Sequence, residues 1–208
     1  MKPPVGRQRR RLFVVIACVV ALVAAGLIGW AVHRSGTYAT PAGAADDGLV
    51  LGNGAVSVDL YIDLASRDCR DFDSRAGQML NQMVTTGKIQ LVYHPIATSG
   101  YAKRAGAALA AAAGSDKVAA YLKALYTAQP LPGVAGPTNA QLITLAGTVG
   151  ITDPGFAAAV NDGRYEGWID HVTKVADRKG IRSGPVLFVD GDPVPPDPSA
   201  LQSAVGLG

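Results

Sequence analysis

Val58-Asp59-Leu60-Tyr61-Ile62-Asp63-Leu64-Ala65-Ser66-Arg67-Asp68-Cys69-Arg70-Asp71-Phe72 is the stretch that decides the fold of this chain. Residues 56–64 alternate and are rich in Val, Ile, Leu and Tyr, which predicts a buried strand. A polar break follows, and a helical pattern begins near Arg70. A loop between a strand and a helix N-terminus lies beside unpaired N–H groups and the positive end of the helix dipole, and both favour an anion such as a thiolate. The loop is therefore a candidate chemical site.

The segments on either side of this loop predict a βαβ unit. Phe72 to Thr86 has apolar residues at helical spacing, Gly87 ends the helix, and Lys88 to Ile96 returns to strand chemistry. We expect the crossover to be right-handed and a parallel strand pair at the centre of the sheet. The short segment 49–51 precedes this unit, with a turn over 52–54 between it and the long strand.

The second half of the chain predicts a helical block and then a hairpin. Four helices are expected, over residues 101–113, 117–129, 139–149 and about 153–179. Val186 to Val189 has the composition of a buried strand, Asp190-Gly191 predicts a hairpin turn, and Pro198 to Val205 predicts a short closing helix. Helices thus separate two groups of strands.

The opening stretch resembles the active-site segment of the DsbA-like thiol-disulfide oxidoreductases, whose pattern is a strand followed by Asp-Phe-x-Cys-x-x-Cys-x-x-Phe. Asp63-Leu64 matches the Asp-Phe pair, Cys69 the second cysteine and Phe72 the closing aromatic residue. Ser66 stands where the family has its first cysteine, so the motif is a degenerate Ser-x-x-Cys. The resemblance implies an α/β, thioredoxin-like fold over residues 49–208, with a helical insertion over about 97–180.

A second match to this family lies before the last strands. Thioredoxin folds carry a Gly-Thr-Pro-like triplet there, whose cis-proline packs beside the cysteines and presents backbone groups to an extended substrate. Ser183-Gly184-Pro185 is the matching triplet, so the resemblance makes Pro185 a candidate cis-proline. It further implies a binding groove formed by Arg67, Asp68, Gly184 and Pro185.

The chemistry expected at the loop depends on Ser66 and Cys69. Serine has no comparable ionisation and cannot form a disulfide, which excludes a two-cysteine exchange cycle within one chain. Ser66 as a hydrolase nucleophile would need a positioned base, and its neighbourhood lacks a Gly-x-Ser-x-Gly elbow. We favour a helix N-cap or an isosteric remnant. For Cys69 we favour a shielded structural thiol over a reactive one, because its position predicts the first turn of the helix.

The N-terminal region predicts a membrane anchor. Residues 1–11 carry five basic residues and no acid, which predicts a cytoplasmic tail, and Leu12 to Val32 is an apolar run of 21 residues. The domain would then be extracytoplasmic on a single-pass protein of the cell membrane, joined through a linker over 33–48. A cleaved signal peptide is the alternative, although its apolar region is typically only ~7–15 residues. A lipoprotein-like box ending at Cys18 has too few apolar residues before the cysteine.

Charge and cysteine usage exclude several classes of function. Residues 33–208 carry 14 basic against 16 acidic residues, a balance of −2, so no nucleic-acid partner is expected. Cys18 and Cys69 are too few for a disulfide framework, and no His, Cys and Asp spacing predicts a metal site. We expect no cofactor. The high Ala and Gly content is typical of an actinobacterial protein.

Three classes of function remain open. The first is a membrane-tethered DsbA-like domain that has lost catalysis and binds a segment of an envelope protein beside Ser66 and Pro185. The second is an enzyme of the same fold with monothiol chemistry through Cys69. The third is a structural subunit of a membrane complex.

Overall fold

The structure is a computed structural model that describes residues 38–131 and 133–206. The expected cytoplasmic tail at 1–11 and membrane helix at 12–32 lie outside the described residues. Within the described ranges, no helix combines the length and the apolar character needed to cross a bilayer. The strands are β1 (Leu49–Leu51), β2 (Val56–Asp63), β3 (Ile89–Ile96), β4 (Val186–Val189) and β5 (Asp192–Val194). The helices are α1 (Arg67–Thr85), α2 (Gly100–Ala111), α3 (Val118–Thr127), α4 (Asn139–Thr148), α5 (Pro154–Asn161), α6 (Glu166–Arg178) and α7 (Pro198–Ala204).

The five strands form one mixed sheet in the order β1-β3-β2-β4-β5. β2 and β3 are parallel over their whole length, with Val56 opposite Ile89 and Asp63 opposite Ile96, and this confirms the predicted βαβ unit. β4 and β5 form the predicted hairpin. β1 pairs antiparallel with β3. The turn over 52–54 therefore joins two strands that are not neighbours in the sheet.

Helix α1 positions the candidate site because it begins directly after β2. It starts at Arg67, three residues before the expected Arg70, since the Ser66 side chain caps it. Its buried face consists of residues at helical spacing, namely Cys69, Phe72, Ala76, Leu80 and Met83. This face packs into the same core as the inward side chains of β2 and β3. The N-terminal end of α1 is thereby packed against the sheet.

Helices α2 to α6 form the insertion between β3 and β4, and one predicted helix is wrong. The helix expected over about 153–179 is divided into α5 and α6. Gly163 has a φ of +59°, its N–H donates to the Val160 carbonyl, and the next N–H, of Arg164, donates to the Ala159 carbonyl. This is a Schellman ending, which closes α5 and allows both Phe156 and Trp168 to reach the core.

Residues 38–48, expected as part of a linker, lie against the domain. The Trp168 indole N–H donates to the Asp46 carbonyl at 3.1 Å, and the Tyr38 and His171 rings are 4.8 Å apart. Gly48 is buried against β3, where a Cβ atom would lie 2.3 Å from Val92 Cγ1. The described end of the expected linker is thus part of the folded unit.

Candidate functional site

Ser66 is the N-cap of α1 and joins two parts of the site. Its backbone is extended (φ −81°, ψ 126°), and its hydroxyl accepts a hydrogen bond from the Cys69 N–H at 3.3 Å. The same hydroxyl donates to the Gly184 carbonyl at 3.3 Å. Ser66 therefore satisfies one free N–H of the helix N-terminus and ties α1 to the loop before β4.

Cys69 lies in the first turn of α1 and is buried, with 1% of its surface exposed. The Asp63 N–H donates to Cys69 Sγ at 3.3 Å. Burial raises the pKa of the Cys69 thiol to about 11, although the hydrogen bonds from Asp63 and Ser66 oppose the shift. At neutral pH this side chain is a neutral, shielded thiol.

Two further residues hold the site loop in place. The buried Asp63 carboxylate accepts hydrogen bonds from the Ala65 N–H at 2.7 Å and from the Thr98 hydroxyl. The Gln129 side-chain amide donates to the carbonyl oxygens of both Leu64 and Ser66 at 2.9 Å. Sequence reasoning missed Gln129, because its partners lie more than 60 positions away and no local pattern indicates them.

The loop before β4 approaches α1 closely. The Gly184–Pro185 peptide bond is cis, as the family resemblance implies. A Cβ atom on Gly184 would lie 2.6 Å from the Tyr61 carbonyl oxygen and 2.9 Å from Cys69 Sγ. A side chain at this position would therefore require the loop to move away from the sheet and the thiol.

The four expected groove residues line two cavities. Asp68, Gly184 and Pro185 line a cavity of about 740 Å³ between α1 and the loop before β4. Arg67 instead lines a cavity of about 520 Å³ with Ser99, at the start of α2, and with the loop after α3. The expected groove residues thus line two cavities, on either side of the capped end of α1.

Neither histidine within the described ranges, His94 or His171, contacts Ser66 as a base would. His94 Nε2 lies 2.8 Å from the Asp59 carboxylate and Nδ1 lies 2.7 Å from the Asp47 carbonyl oxygen. His171 lies 3.3 Å from the Asp46 carboxylate. In the described part of the chain, no group of three His, Cys, Asp or Glu residues could hold a metal ion.

Comparisons with known proteins agree with this architecture. A family model described as Thioredoxin matches residues 45–206. DsbA from Mycobacterium tuberculosis in its reduced form is 22% identical, with 76% of this chain and 90% of that chain covered and a TM-score of 0.68. The reduced disulfide bond oxidoreductase DsbG from the same organism is 24% identical, with 76% and 86% covered and a TM-score of 0.67. The thiol-disulfide oxidoreductase MdbA from Actinomyces oris is 19% identical, with 77% and 87% covered and a TM-score of 0.65.

These identities establish the fold alone. A search of curated proteins found no match. The described domain therefore has the fold of DsbA-like thiol-disulfide oxidoreductases, with Ser66 and Cys69 at the start of α1.

Proposed function

Since the chain belongs to the thioredoxin family, we propose that it is a DsbA-like domain of the cell envelope that has lost the nucleophilic cysteine and works by binding an extended protein segment. Residues 12–32 would anchor it in the membrane with the N-terminus cytoplasmic and the domain outside. The observation that carries the proposal is the pair formed by Ser66 and Cys69. A capping hydroxyl occupies the position of the family's nucleophile, and the remaining thiol is buried.

The thiol chemistry of Cys69 argues against the monothiol alternative. Thiol-disulfide exchange requires a thiolate that can reach a disulfide sulfur. Cys69 is 1% exposed, and burial raises its pKa to about 11. We therefore assign Cys69 to packing and propose binding, without catalysis, as the function.

The binding role rests on surfaces that remain available beside the lost nucleophile. The cavity next to Pro185 has a volume of about 740 Å³ and is lined by residues of both α1 and the loop before β4. Extended segments bind well where backbone groups and side-chain pockets occur together. The proposal takes this cavity as the place where the partner's backbone lies.

A binding assay tests the proposal. The probe is a permanently unfolded, carboxymethylated model polypeptide with a fluorescent label, and the protein is the full chain in a nonionic detergent. Ser183→Trp places an indole at an exposed position that lines the Pro185 cavity, so it should weaken binding. Thr144→Trp, at an exposed position on α4, is the matched control and should bind like the unsubstituted protein. Absence of binding, or equal binding by both variants, would overturn the proposal.

A further inference from the structure

The cavity beside Arg67 is lined both by arginines and by the exposed large hydrophobic side chains of the described residues. Leu131 and Val134, exposed by 67% and 59%, are the two large hydrophobic side chains that are exposed among residues 38–131 and 133–206. Both line the cavity of about 520 Å³, together with Arg67 and Arg104. Exposed apolar side chains gathered at one concave place indicate a binding surface.

The electrostatics of this cavity favour an anion. None of its described lining residues is acidic, and neither Arg67 nor Arg104 has an ion-pair partner within the described ranges. Arg67 is also the first residue of α1, and Ser99 caps α2, so the positive ends of two helix dipoles lie here. Arginine binds carboxylates with two parallel hydrogen bonds, which makes it well suited to a carboxylate ligand.

The walls of the cavity are attached to the proposed binding site. Gln129, directly before the loop that carries Leu131 and Val134, donates hydrogen bonds to the carbonyl oxygens of Leu64 and Ser66. At the other end of that loop, Gly136 lies on the Tyr101 ring, where a Cβ atom would come within 2.2 Å of Cδ2. The loop that lines the cavity is therefore fixed at one end to the loop that carries Ser66 and at the other to α2.

We infer that this cavity is a specificity subsite for an acidic, aliphatic peptide segment, in which a Glu or Asp carboxylate pairs with Arg67 and Arg104 and neighbouring Leu, Ile or Val side chains contact Leu131 and Val134. The inference rests on the proposed function, because the segment that enters the subsite continues past Ser66 toward Pro185. An anionic membrane surface could also attract arginines and aliphatic side chains. A concave cavity accepts a protruding side chain better than a flat bilayer, and so we favour the peptide.

Matched peptides test the subsite on the full chain in a nonionic detergent. Four fluorescein-labelled twelve-residue peptides of equal length are compared by polarisation: one that alternates leucine and glutamate, and versions with glutamine for glutamate, lysine for glutamate, or serine for leucine. The leucine–glutamate peptide should bind about tenfold more tightly than the glutamine version, as expected for one charge-assisted contact of about 1.4 kcal/mol. Its affinity should fall as salt is raised.

The double variant Arg67→Gln with Arg104→Gln should abolish the preference for the glutamate peptide over the glutamine peptide. Lys174→Gln with Arg178→Gln removes the same charge from exposed positions on α6 and should keep the preference. Leu131→Ser with Val134→Ser should reduce the discrimination between leucine and serine peptides.

The outcomes separate this inference from the proposed function. If all four peptides bind the unsubstituted protein equally, the acidic subsite is wrong and the proposed binding function stands. If no peptide binds, the acidic subsite is overturned, and the carboxymethylated polypeptide decides whether the proposed binding function stands. If vesicles with anionic lipid bind through Arg67 and Arg104 while the peptides show no preference, the surface is a membrane contact and the inference is overturned.

Discussion

The Ser66 hydroxyl donates a hydrogen bond to the Gly184 carbonyl oxygen at 3.3 Å, across 118 positions of sequence. The Ser66 hydroxyl oxygen also accepts a hydrogen bond from the Cys69 N–H and thereby caps α1. A single hydroxyl therefore connects the helix N-terminus with the loop that contains the cis peptide bond. Serine serves this structural role well, whereas thiol-disulfide exchange would require a sulfur at the same place.

Replacing Ser66 by cysteine should create thiol-disulfide exchange activity. The new thiol would lie at the N-cap of α1, where the free N–H groups and the helix dipole stabilise a thiolate, with Cys69 in position to resolve it. In a Cys18→Ala background with oxidised glutathione supplied to form the disulfide between position 66 and Cys69, Ser66→Cys should oxidise a fluorescent dithiol peptide at least about tenfold faster than the parent protein with the same oxidant. Ser66→Ala should remain at the background rate. Equal rates for the serine and cysteine proteins would contradict the loss of the nucleophile.

Cys69 should resist alkylation in the folded protein. The thiol is buried and its pKa is raised to about 11 by that burial, so both access and thiolate fraction are low at neutral pH. Iodoacetamide labelling at pH 8, resolved by peptide mass spectrometry to separate Cys69 from Cys18, should be slow until denaturant unfolds the domain. Rapid native labelling that titrates below pH 8.5 would instead support the monothiol enzyme.

Gly184→Ala should destabilise the domain by about 1–3 kcal/mol through overpacking. The added Cβ atom would lie 2.6 Å from the Tyr61 carbonyl oxygen, and backbone on the central strand has little room to move. Gly147→Ala is the matched control, because nothing lies within 4 Å of its Cβ position in α4 and alanine favours helix. Urea denaturation followed by tryptophan fluorescence measures both. A neutral Gly184→Ala variant would show that the loop can move away from the sheet.

The strand, loop and helix around Ser66 could be predicted from sequence because alternation, a polar break and helical spacing follow one another within 30 residues. The positions of Arg67 and Asp68 in the linings of different cavities could not be predicted in this way. The sequence predicts a helix that begins near Arg70, which leaves both residues in the loop, and the family resemblance implies one groove that includes both. As consecutive residues of a helix their side chains point about 100° apart, which places them in different cavities.

The division between α5 and α6 was missed for a related reason. Apolar residues continue on both sides of Gly163, and periodicity alone does not show where the backbone reverses. A single glycine after Asn161-Asp162 was the available signal. The bond from Gln129 to the Ser66 carbonyl had no sequence signal, because it depends on how the insertion packs against α1.

Removal of the hydroxyl from two buried tyrosines of α3 should change the free energy of unfolding differently. The Tyr126 hydroxyl is buried beside the Cys69 thiol and makes no well-formed hydrogen bond among the described residues, whereas the Tyr121 hydroxyl donates to the Leu142 carbonyl at 3.0 Å. Tyr126→Phe should therefore be neutral or slightly stabilising, and Tyr121→Phe should cost about 0.5–1.5 kcal/mol. The measurement is the free energy of unfolding in urea. A larger loss for Tyr126→Phe would indicate a buried partner, such as water, at its hydroxyl.

Asp73 should make the domain less stable as the pH rises from about 4 to above 6. Burial raises the pKa of its carboxyl to about 6, although the Lys123 ammonium group opposes the shift. The folded state therefore binds the proton more tightly than the unfolded state, whose carboxyl has the ordinary value of 3.8. The favourable contribution of the neutral acid is complete below pH 3.8 and is lost as the pH passes through 6.

Asp73→Asn keeps the shape of the side chain without its ionisation. The difference in unfolding free energy between this variant and the parent should therefore grow in favour of the variant between pH 4 and pH 7. Asp116→Asn, at an exposed position, is the control. If the Asp73 difference is the same at both pH values, the carboxylate is well solvated in the folded state and the expected pKa shift is wrong.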